Sequence, residues 1–378
     1  MSIQILIIGG GFGGLAAANE LRTNLPSDVK ITIIDKKDYF MMDLVKLWII
    51  KGTRKFETSK RSLNTIVKKG IDFVNEQVTS IDTSQKKVKT TKEFSYDYLI
   101  IAVGVELAPE KITGLSENGM ILYDLEHASK IRQKILDMKS GKLVFAITGL
   151  PYKCPPAPFE AALIINSMLQ EIGTRKNISI DFYSLGPITL PAAGPEVSKQ
   201  LLDLLESENI KFHGSCKTVS VEKNLLKFED GSTTNFDLLI AIPPHKAPEI
   251  IYDAALAQEN QFIPVKRDCK TQFDKVYAIG DVTNMMITDK IAVPKAGIFA
   301  EGEGVAVAQD IISQIRKEET KSIFDGKGGC FVEMGLTAGY VYVDMFAEPN
   351  PITRLDKPAP EHLEEKENFE KERIEKWL

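Results

Sequence analysis

The chain has 378 residues, of which 43% are apolar and 26% are charged, and its formal net charge is -5. This length exceeds one ordinary domain core, and the composition is that of a globular multidomain protein. The acidic balance lacks the basic footprint of a nucleic-acid-binding protein. The N-terminus enters an apolar strand at Ile3 without a basic, cleavable leader, so we expect a cytoplasmic protein. No run of about 18 apolar residues occurs, so we expect any membrane contact to be peripheral.

Apolar runs typical of buried strands alternate with helical patterns along most of the chain. This alternation predicts an α/β protein with parallel sheets. The predicted strands are Ile3–Ile8, Lys30–Ile34, Tyr98–Val103, Leu143–Ile147, Ile178–Tyr183, Leu238–Ala241 and Val276–Ile279. After about residue 320 the composition changes, and a β-like stretch, Phe331–Met345, precedes a proline-rich turn and a charged tail. We interpret this last part as a small C-terminal unit.

A glycine loop with the spacing G-x-G-x-x-G follows the first strand, at Gly9, Gly11 and Gly14. Gly9 permits a tight turn, Gly11 lets the backbone approach a pyrophosphate, and Gly14 lets the following helix pack on the strand. The pyrophosphate would lie at the positive N-terminal end of that helix. Asp35 ends the next strand, where a carboxylate accepts hydrogen bonds from ribose hydroxyls. The residues expected to bind the dinucleotide here are Gly9, Gly11, Phe12, Gly14, Asp35 and Lys36.

On the loop alone either NAD or FAD fits this first site, and two later segments favour FAD. Asp97–Gly104 (DYLIIAVG) resembles the strand-and-glycine segment that returns to the flavin domain in flavoproteins with two dinucleotide-binding domains. Tyr277–Asp281 (YAIGD) resembles their second FAD motif, in which the aspartate meets the ribitol or the pyrophosphate. The resemblance therefore implies FAD contacts at Gly104, Gly280 and Asp281.

The same flavoproteins consist of two Rossmann-like dinucleotide-binding domains, and the resemblance implies this architecture here. We therefore expect the α/β fold class, with two Rossmann-like domains and a small C-terminal α+β unit. The expected units are an FAD-binding domain at 1–109 and 240–320, a second Rossmann-like domain at 110–239 and the C-terminal unit at 321–378.

The glycine loop has no counterpart after the strand Leu143–Ile147, where flavoproteins that use NAD(P)H repeat it. The segment Thr148–Glu160 instead carries four prolines, at 151, 155, 156 and 158. Proline has no N–H, so this turn is a poor cradle for a pyrophosphate. The same segment holds a thiol, Cys154, which favours sulfur chemistry over a nicotinamide donor.

Four segments together resemble the sulfide:quinone oxidoreductases and the flavoprotein subunit of flavocytochrome c sulfide dehydrogenase. The resemblance extends over nearly the whole chain. In these enzymes two cysteines face the flavin and hold sulfur between them as a disulfide or polysulfide bridge. The resemblance gives those roles to Cys154 and Cys330. The segments that carry it are Tyr152–Pro158 with Glu160, Pro191–Glu196, Pro294–Gly297 and Gly328–Glu333.

The family chemistry is thiol–disulfide exchange, in which sulfide attacks the bridge and the released thiolate passes two electrons to the flavin. Because a thiolate is required, we expect a positive charge to lower the pKa of the Cys154 thiol, and Lys153 is the candidate. Cys216 and Cys269 match no motif and are expected to be inert. The cysteine spacing predicts no metal site.

Two positions depart from the family pattern. Many members carry a third cysteine, used for sulfur relay or flavin attachment, where this chain has Tyr123. The flavocytochrome subunits attach FAD through a cysteine near the position of Met41 and Met42. We therefore expect FAD to be bound noncovalently.

Further candidates for catalysis lie outside the cysteine pair. His127 is either a proton carrier or a structural residue at the start of a helix. Glu160 either takes a proton from sulfide or quinol, or is a solvated charge on a helix face. Lys295 would stabilise negative charge on the reduced flavin, and Gly297 follows it in the cofactor segment.

The quinone acceptor needs an apolar and usually aromatic slot beside the flavin. Phe331, Tyr340 and Phe346 are the candidates for its walls. The tail Glu361–Leu378 predicts a weakly amphipathic helix whose acidic charge disfavours anionic lipid. It either docks on the protein or, with a second apolar edge at Trp48, contacts a membrane peripherally.

We therefore expect a flavoenzyme that oxidises sulfide to sulfur or polysulfide through a Cys154–Cys330 bridge and reduces a membrane quinone. A cytochrome or another soluble protein could take the place of the quinone as acceptor. A type-two NADH:quinone oxidoreductase and a noncatalytic flavin or sulfur carrier are also compatible with the sequence. The sequence leaves the product length, the acceptor and a homo-oligomeric state open.

Overall fold

The first apolar run of the sequence forms the central strand of its sheet. A strand in this position is covered on both faces, which is why its residues are apolar. The computed structural model describes residues 2–319 and 322–378. The helices are α1 (Phe12–Asn24), α2 (Val45–Lys51), α3 (Phe56–Ser59), α4 (Leu115–Asn118), α5 (Leu125–Asp137), α6 (Ala157–Glu171), α7 (Gly194–Ser207), α8 (Ile250–Asp253), α9 (Gly297–Arg316) and α10 (Pro360–Trp377). The strands are β1 (Gln4–Ile8), β2 (Lys30–Asp35), β3 (Tyr39–Phe40), β4 (Arg61–Ser62), β5 (Asp72–Asn75), β6 (Ser80–Asp82), β7 (Lys87–Lys89), β8 (Glu93–Ser95), β9 (Tyr98–Ile101), β10 (Glu106–Leu107), β11 (Met120–Ile121), β12 (Gly141–Ile147), β13 (Ile178–Tyr183), β14 (Ile210–His213), β15 (Thr218–Glu222), β16 (Leu225–Phe228), β17 (Thr233–Asn235), β18 (Leu238–Ile242), β19 (His245–Lys246), β20 (Ile263–Val265), β21 (Val276–Ala278), β22 (Thr283–Met285), β23 (Lys327–Glu333), β24 (Ala338–Asp344) and β25 (Ile352–Ala359).

The first sheet is parallel and has the strand order β21-β9-β1-β2-β5. Helices α1 and α9 pack closely on each other, since a Cβ added at Gly304 of α9 would lie 2.4 Å from the Gly13 carbonyl oxygen of α1. The glycine loop lies at the carboxyl end of β1, at the edge where open parallel sheets bind ligands. This sheet joins strands from the start of the chain to β21, as expected for a discontinuous domain.

The second sheet is also parallel, with the order β11-β18-β12-β13-β14. The two sheets confirm the predicted α/β fold class with two Rossmann-like units. The expected boundary between residues 239 and 240 falls inside β18, which pairs with β12 along its whole length. We therefore propose that the second unit extends through Ile242.

The C-terminal unit is an antiparallel sheet, β23-β24-β25, followed by α10. The sequence predicted one β-like stretch at Phe331–Met345 and a proline-rich turn after it. The single stretch was wrong, because Gly335, with a φ of +98°, turns the chain between two strands. The proline-rich turn follows at residues 345–351, as expected, and the chain then forms the edge strand β25. Pro358 is tolerated in this strand because an edge strand need not donate every N–H.

Helix α10 packs its apolar face on the protein. Of the two interpretations of the tail, docking on the protein is therefore the one that the structure shows. Trp377 is 1% exposed and packs its ring edge-to-face on Phe12 and Phe40. The second apolar edge expected at Trp48 is also buried, and its indole Nε1 donates to a Glu333 oxygen at 2.9 Å. Neither tryptophan is therefore available to a lipid surface. Among the described residues, no helix combines the length and the apolarity needed to cross a bilayer.

We expect Trp377→Ala to lower the free energy of unfolding by about 3 kcal/mol, because it removes a large buried ring that joins α10 to the glycine loop. Urea unfolding of the purified protein measures this change. Glu375→Ala on the exposed face of α10 is the matched control and should change stability by less than about 0.5 kcal/mol. Equal effects of the two substitutions would contradict the docking role.

Candidate functional site

A cavity of about 790 Å³ lies between the first unit, the loop after β12 and the C-terminal sheet. Its size is typical of a ligand site, and it begins at the carboxyl ends of β1 and β9. It brings together most of the site residues predicted from sequence. Those that line it are Gly9, Gly11, Phe12, Asp35, Lys36, Gly104, Cys154, Glu160, Gly280, Asp281, Lys295, Gly297, Cys330 and Phe331.

The glycine loop has the shape of a pyrophosphate cradle. A Cβ added at Gly9 would lie 2.2 Å from the Ala102 carbonyl oxygen. A Cβ added at Gly14 would lie 1.9 Å from the Gly9 carbonyl oxygen. A Cβ added at Gly11 would meet no atom within 4 Å, because Gly11 faces the cavity. The first N–H groups of α1 have no intrahelical acceptor and are available there to an anion. These features fit the phosphates of a dinucleotide such as FAD.

The carboxylate of Asp35 is held at the end of β2. Its Oδ2 accepts the Gly10 N–H at 2.6 Å, and its Oδ1 accepts the Lys37 N–H at 2.8 Å. Asp35 and Lys36 both line the cavity beside the loop. Their position fits recognition of the ribose of a dinucleotide.

The opposite wall is formed by the YAIGD segment and the start of α9. Lys295 Nζ donates to the carbonyl oxygens of Asp281 at 2.6 Å and Thr283 at 2.9 Å. Burial lowers the pKa of Lys295 to about 8. Burial also raises the pKa of Asp281, although the Lys153 and Lys295 ammonium groups oppose this shift. The wall therefore presents one cation and one carboxyl group to the cavity.

Glu303, on α9, is a buried carboxyl group that the sequence interpretation missed. It is 2% exposed, and its Oε2 accepts the Gly280 N–H at 2.5 Å. Burial raises its pKa to about 8. The sequence did not mark it as buried, because α9 carries other charged residues such as Glu301 and Asp310. Glu303 fixes the turn that carries Asp281.

The two motif cysteines meet at the cavity from different parts of the fold. Cys154 lies in the loop between β12 and α6, and Cys330 lies on β23. Both are free thiols that line the cavity. The neighbouring Cys330 side chain is the main cause of the raised pKa of the Cys154 thiol, followed by burial and by the charge of Glu160. The geometry therefore brings the two thiols together, as the resemblance implied.

The expectation that Lys153 lowers the pKa of the Cys154 thiol was wrong. The Lys153 ammonium is paired with the carboxylate of Asp43, which also binds Lys46 Nζ at 2.7 Å. The Asp43 carboxylate neutralises this charge, and the pKa of the Cys154 thiol lies above its ordinary value. Deprotonation of this thiol therefore needs a base.

Glu160 is part of a buried charge cluster and is not a solvated helix charge. It is 4% exposed and pairs with Lys366 of α10, which also binds Glu333 at 2.7 Å. Glu333 in turn accepts a hydrogen bond from Lys51 at 2.6 Å. Burial raises the pKa of Glu160, although the Lys366 ammonium opposes the shift. Lys366 gave no signal in the sequence, because it is one of many charged residues in the tail.

Three predicted residues do not line the cavity as expected. His127 has a local structural role, since its Nδ1 accepts the Ile121 N–H at 2.8 Å and its own N–H is capped by Asp124. Tyr340 packs on Phe331 outside the cavity wall, because it lies on the neighbouring strand. Phe346 packs on Phe324. The structure thus gives His127 a local structural role and places Tyr340 and Phe346 away from this cavity, while the proton-carrier and quinone-wall roles stay predictions.

Phe331 lines the cavity as predicted, and its aromatic neighbour there is Phe369. The two ring centroids are 6.3 Å apart, with the planes at 71°. Phe369 comes from α10, so only the docking of that helix brings it to the cavity. Gly14 does not line the cavity. It allows the start of α1 to pack closely on the Gly9 backbone, which is the role that its spacing indicated.

Comparisons with known proteins give the family and the fold of this chain. The family model of the pyridine nucleotide-disulphide oxidoreductases matches residues 3–149 and 168–304. A sulfide-quinone reductase of Aquifex aeolicus is 28% identical over 95% of this chain and 88% of its own length. A type II NADH:quinone oxidoreductase of Staphylococcus haemolyticus is 23% identical over 82% of this chain and 81% of its own length. The X-ray structure of the sulfide:quinone oxidoreductase from Aquifex aeolicus has a TM-score of 0.88 at 27% identity and covers 98% of this chain and 90% of that chain.

The general family model leaves two parts of the cavity unmatched. Residues 150–167 hold Cys154 and Glu160, and the residues after 304 hold Cys330 and Lys366. The matched parts contain the two Rossmann-like sheets and the glycine loop. The thiols and the buried charges are therefore what distinguishes this chain from the general family pattern.

We expect Gly11→Ala to weaken flavin binding roughly tenfold or more, about 1.4 kcal/mol, because the added methyl group enters the cavity without disturbing the fold. The yellow absorbance retained after purification and titration with FAD measure the effect. Gly14→Ala is the contrasting variant and should lower the free energy of unfolding by about 2 kcal/mol. The cradle assignment is wrong if Gly11→Ala binds flavin as the unchanged protein does.

We expect the free energy of unfolding of the Glu303→Gln variant, relative to that of the unchanged protein, to increase as the pH rises from 5 to 8. The folded-state pKa of about 8 lies above the ordinary value of 4.5. The unchanged protein therefore loses stability between these values, by up to roughly 1.4 kcal/mol per pH unit. Glutamine stays neutral and still accepts the Gly280 N–H. Urea unfolding at both pH values measures the difference, with pH 5 as the control, and a difference independent of pH would refute the buried titration.

Proposed function

The chain belongs to the pyridine nucleotide-disulphide oxidoreductase family, and we propose that it oxidises sulfide with FAD and passes the electrons to a quinone. The observation that carries this proposal is the meeting of Cys154 and Cys330 at one cavity. The relatives named as sulfide-quinone reductases support it, since one of them matches 95% of the chain.

The proposed chemistry begins with hydrosulfide and a Cys154–Cys330 disulfide. Hydrosulfide attacks one of the two sulfurs, the bond between them breaks, and one cysteine becomes a persulfide while the other leaves as a thiolate. Bound FAD supplies a two-electron acceptor in the same cavity. A second hydrosulfide takes the outer sulfur of the persulfide away as hydrogen disulfide, which leaves both cysteines as thiolates. The two thiolates form the disulfide again when their electron pair leaves by way of the flavin for the quinone. Sulfide is thereby oxidised to the level of elemental sulfur, and the quinone takes up two protons and becomes quinol. This balance requires no other oxidant.

Proton transfer at the thiols falls to Glu160 in this proposal. Its pKa is raised by burial, so it holds a proton more readily than an exposed carboxyl group, and its charge acts directly on Cys154. Lys366 keeps it in place through a buried ion pair. Glu160 is therefore suited to take a proton from sulfide and to give one to the quinone as it is reduced to quinol.

The residues proposed to hold FAD are those of the glycine loop, of the YAIGD turn and of the start of α9. Lys295 is the cation proposed to stabilise negative charge on the reduced flavin. We propose noncovalent binding, since Met41 and Met42 line the cavity where an attachment cysteine would be expected. Phe331 and Phe369 are the proposed aromatic contacts of the quinone.

An NADH:quinone oxidoreductase is the second candidate, because relatives of that name share the fold. The loop after β12 opposes it. A Cβ added at Gly149 would lie 2.4 Å from Pro244, and the prolines at 155, 156 and 158 supply no N–H to a pyrophosphate. A cytochrome is the second candidate for the acceptor, after the quinone. A cytoplasmic location with peripheral contact to the membrane that holds the quinone is part of the same proposal.

We expect sulfide, and not NADH, to bleach the flavin of the purified protein under anaerobic conditions. A soluble quinone added afterwards should restore the yellow colour faster than a cytochrome does. Absorbance spectroscopy follows both steps. Bleaching by NADH alone would sink the proposal in favour of the second candidate.

We expect Cys154→Ser and Cys330→Ser each to slow bleaching by sulfide at least 100-fold, about 2.7 kcal/mol, while FAD stays bound. Serine keeps the size of the side chain and removes the exchangeable sulfur. Cys216→Ser, distant in the second unit, is the matched control and should bleach at the unchanged rate. Unaltered rates in both cavity variants would remove the cysteines from the mechanism.

A further inference from the structure

The loop that carries Cys154 depends on groups from other parts of the fold. The backbone of Cys154 has a φ of +49°, a left-handed conformation that is unfavourable for a residue with a side chain. Its neighbours Pro151, Pro155 and Pro156 have no N–H to donate. The loop therefore forms few hydrogen bonds of its own, and its shape must be imposed from outside.

Backbone groups of two other segments hold the two ends of this loop. The Cys154 N–H donates to the Lys295 carbonyl oxygen at 2.5 Å, and the His245 N–H donates to the Pro151 carbonyl oxygen at 2.8 Å. Between these points the Lys153 side chain pairs with Asp43, and the side chain that bonds the loop backbone itself is Tyr123. Its hydroxyl donates to the Lys153 carbonyl oxygen at 2.6 Å and lies 3.4 Å from the Cys154 carbonyl oxygen.

Tyr123 is suited to be a rigid tether. It is 7% exposed, and its ring packs edge-to-face on His245 with the centroids 5.3 Å apart. Burial raises the pKa of the phenol well above its usual value, so the hydroxyl remains a proton donor at physiological pH. Cys330, in contrast, lies within β23 and is held by the regular pairing with β24. Only the Cys154 side of the pair needs such a tether.

We propose that the Tyr123 hydroxyl is a positioning group that holds the Cys154 thiol against Cys330. This inference rests on the proposed function, in which the two thiols form the sulfur bridge. The position where many members of the resembling family carry a third cysteine then has a different task in this chain. It fixes the geometry of the two cysteines that remain.

The test is Tyr123→Phe, which removes one oxygen and keeps the ring on His245. The protein is equilibrated with glutathione, so that oxidised glutathione takes two electrons from the thiols, Cys154 and Cys330 become a disulfide, and two molecules of reduced glutathione are released. Alkylation and mass spectrometry then count the free thiols. We expect the equilibrium constant for the disulfide to fall about tenfold, which corresponds to about 30 mV. The limiting rate of bleaching by sulfide should fall at least tenfold.

Tyr96→Phe is the matched control, because Tyr96 is also buried and its hydroxyl has no hydrogen-bond partner within the described part of the chain. It should leave the equilibrium constant and the rate unchanged. The inference would be overturned if the disulfide equilibrium constant and the bleaching rate of Tyr123→Phe both stayed within twofold of those of the unchanged protein. Failure of the unchanged protein itself to form the disulfide would overturn the proposed function as well, so the two failures are distinguishable.

A second pair of variants keeps the test decisive if Tyr123→Phe does not fold. Para-aminophenylalanine at position 123 keeps a hydrogen-bond donor on the ring, whereas para-methylphenylalanine fills similar space without one. The amino variant should retain the disulfide equilibrium and the bleaching rate, and the methyl variant should lose at least tenfold in each. Equal behaviour of the two would show that the hydroxyl does not position the thiol.

Discussion

The site depends on the buried ammonium group of Lys366. It lies between the carboxylates of Glu160 and Glu333 and so joins α10, α6 of the second Rossmann-like unit and the strand that carries Cys330. Burial alone would lower the pKa of Lys366, but the two carboxylates raise it, and the lysine stays charged. Removal of one partner from such a cluster leaves an uncompensated buried charge, which costs about 3–5 kcal/mol. The cluster therefore specifies how the three parts of the chain meet.

The two Rossmann-like units have diverged at the loop after the first strand of each sheet. In the first unit this loop keeps its glycines, and the N–H groups at the start of α1 face an open cradle. In the second unit prolines have taken the place of the N–H donors, and the loop extends until the Cys154 N–H reaches the Lys295 carbonyl oxygen of the first unit. One loop presents backbone N–H groups to the cavity, and the other brings a thiol to the same cavity.

Local patterns were sufficient for the strands, the glycine loop and the cysteine motifs. Their information lies within a few neighbouring residues, as in the apolar run Ile5–Ile8 or the glycines that follow it. They failed for Glu303 and Lys366, since a charged residue in a helix is normally solvated and nothing nearby marks these two as buried. His127 is the opposite case. Its residue type suggested chemistry, and a local backbone hydrogen bond already uses its ring.

By itself the sequence determined the class of fold, through the alternation of apolar strands with helical patterns. It also predicted a dinucleotide cradle in the first unit and none in the second, from glycine and proline at fixed spacing. It also named the two cysteines through a resemblance. The tertiary structure decided that these thiols meet at one cavity, that the pKa of the Cys154 thiol is raised and that α10 closes the cavity with Phe369 and Lys366. Those properties arise from residues more than 150 positions apart, such as Cys154 and Cys330, which line one cavity only once the units have packed.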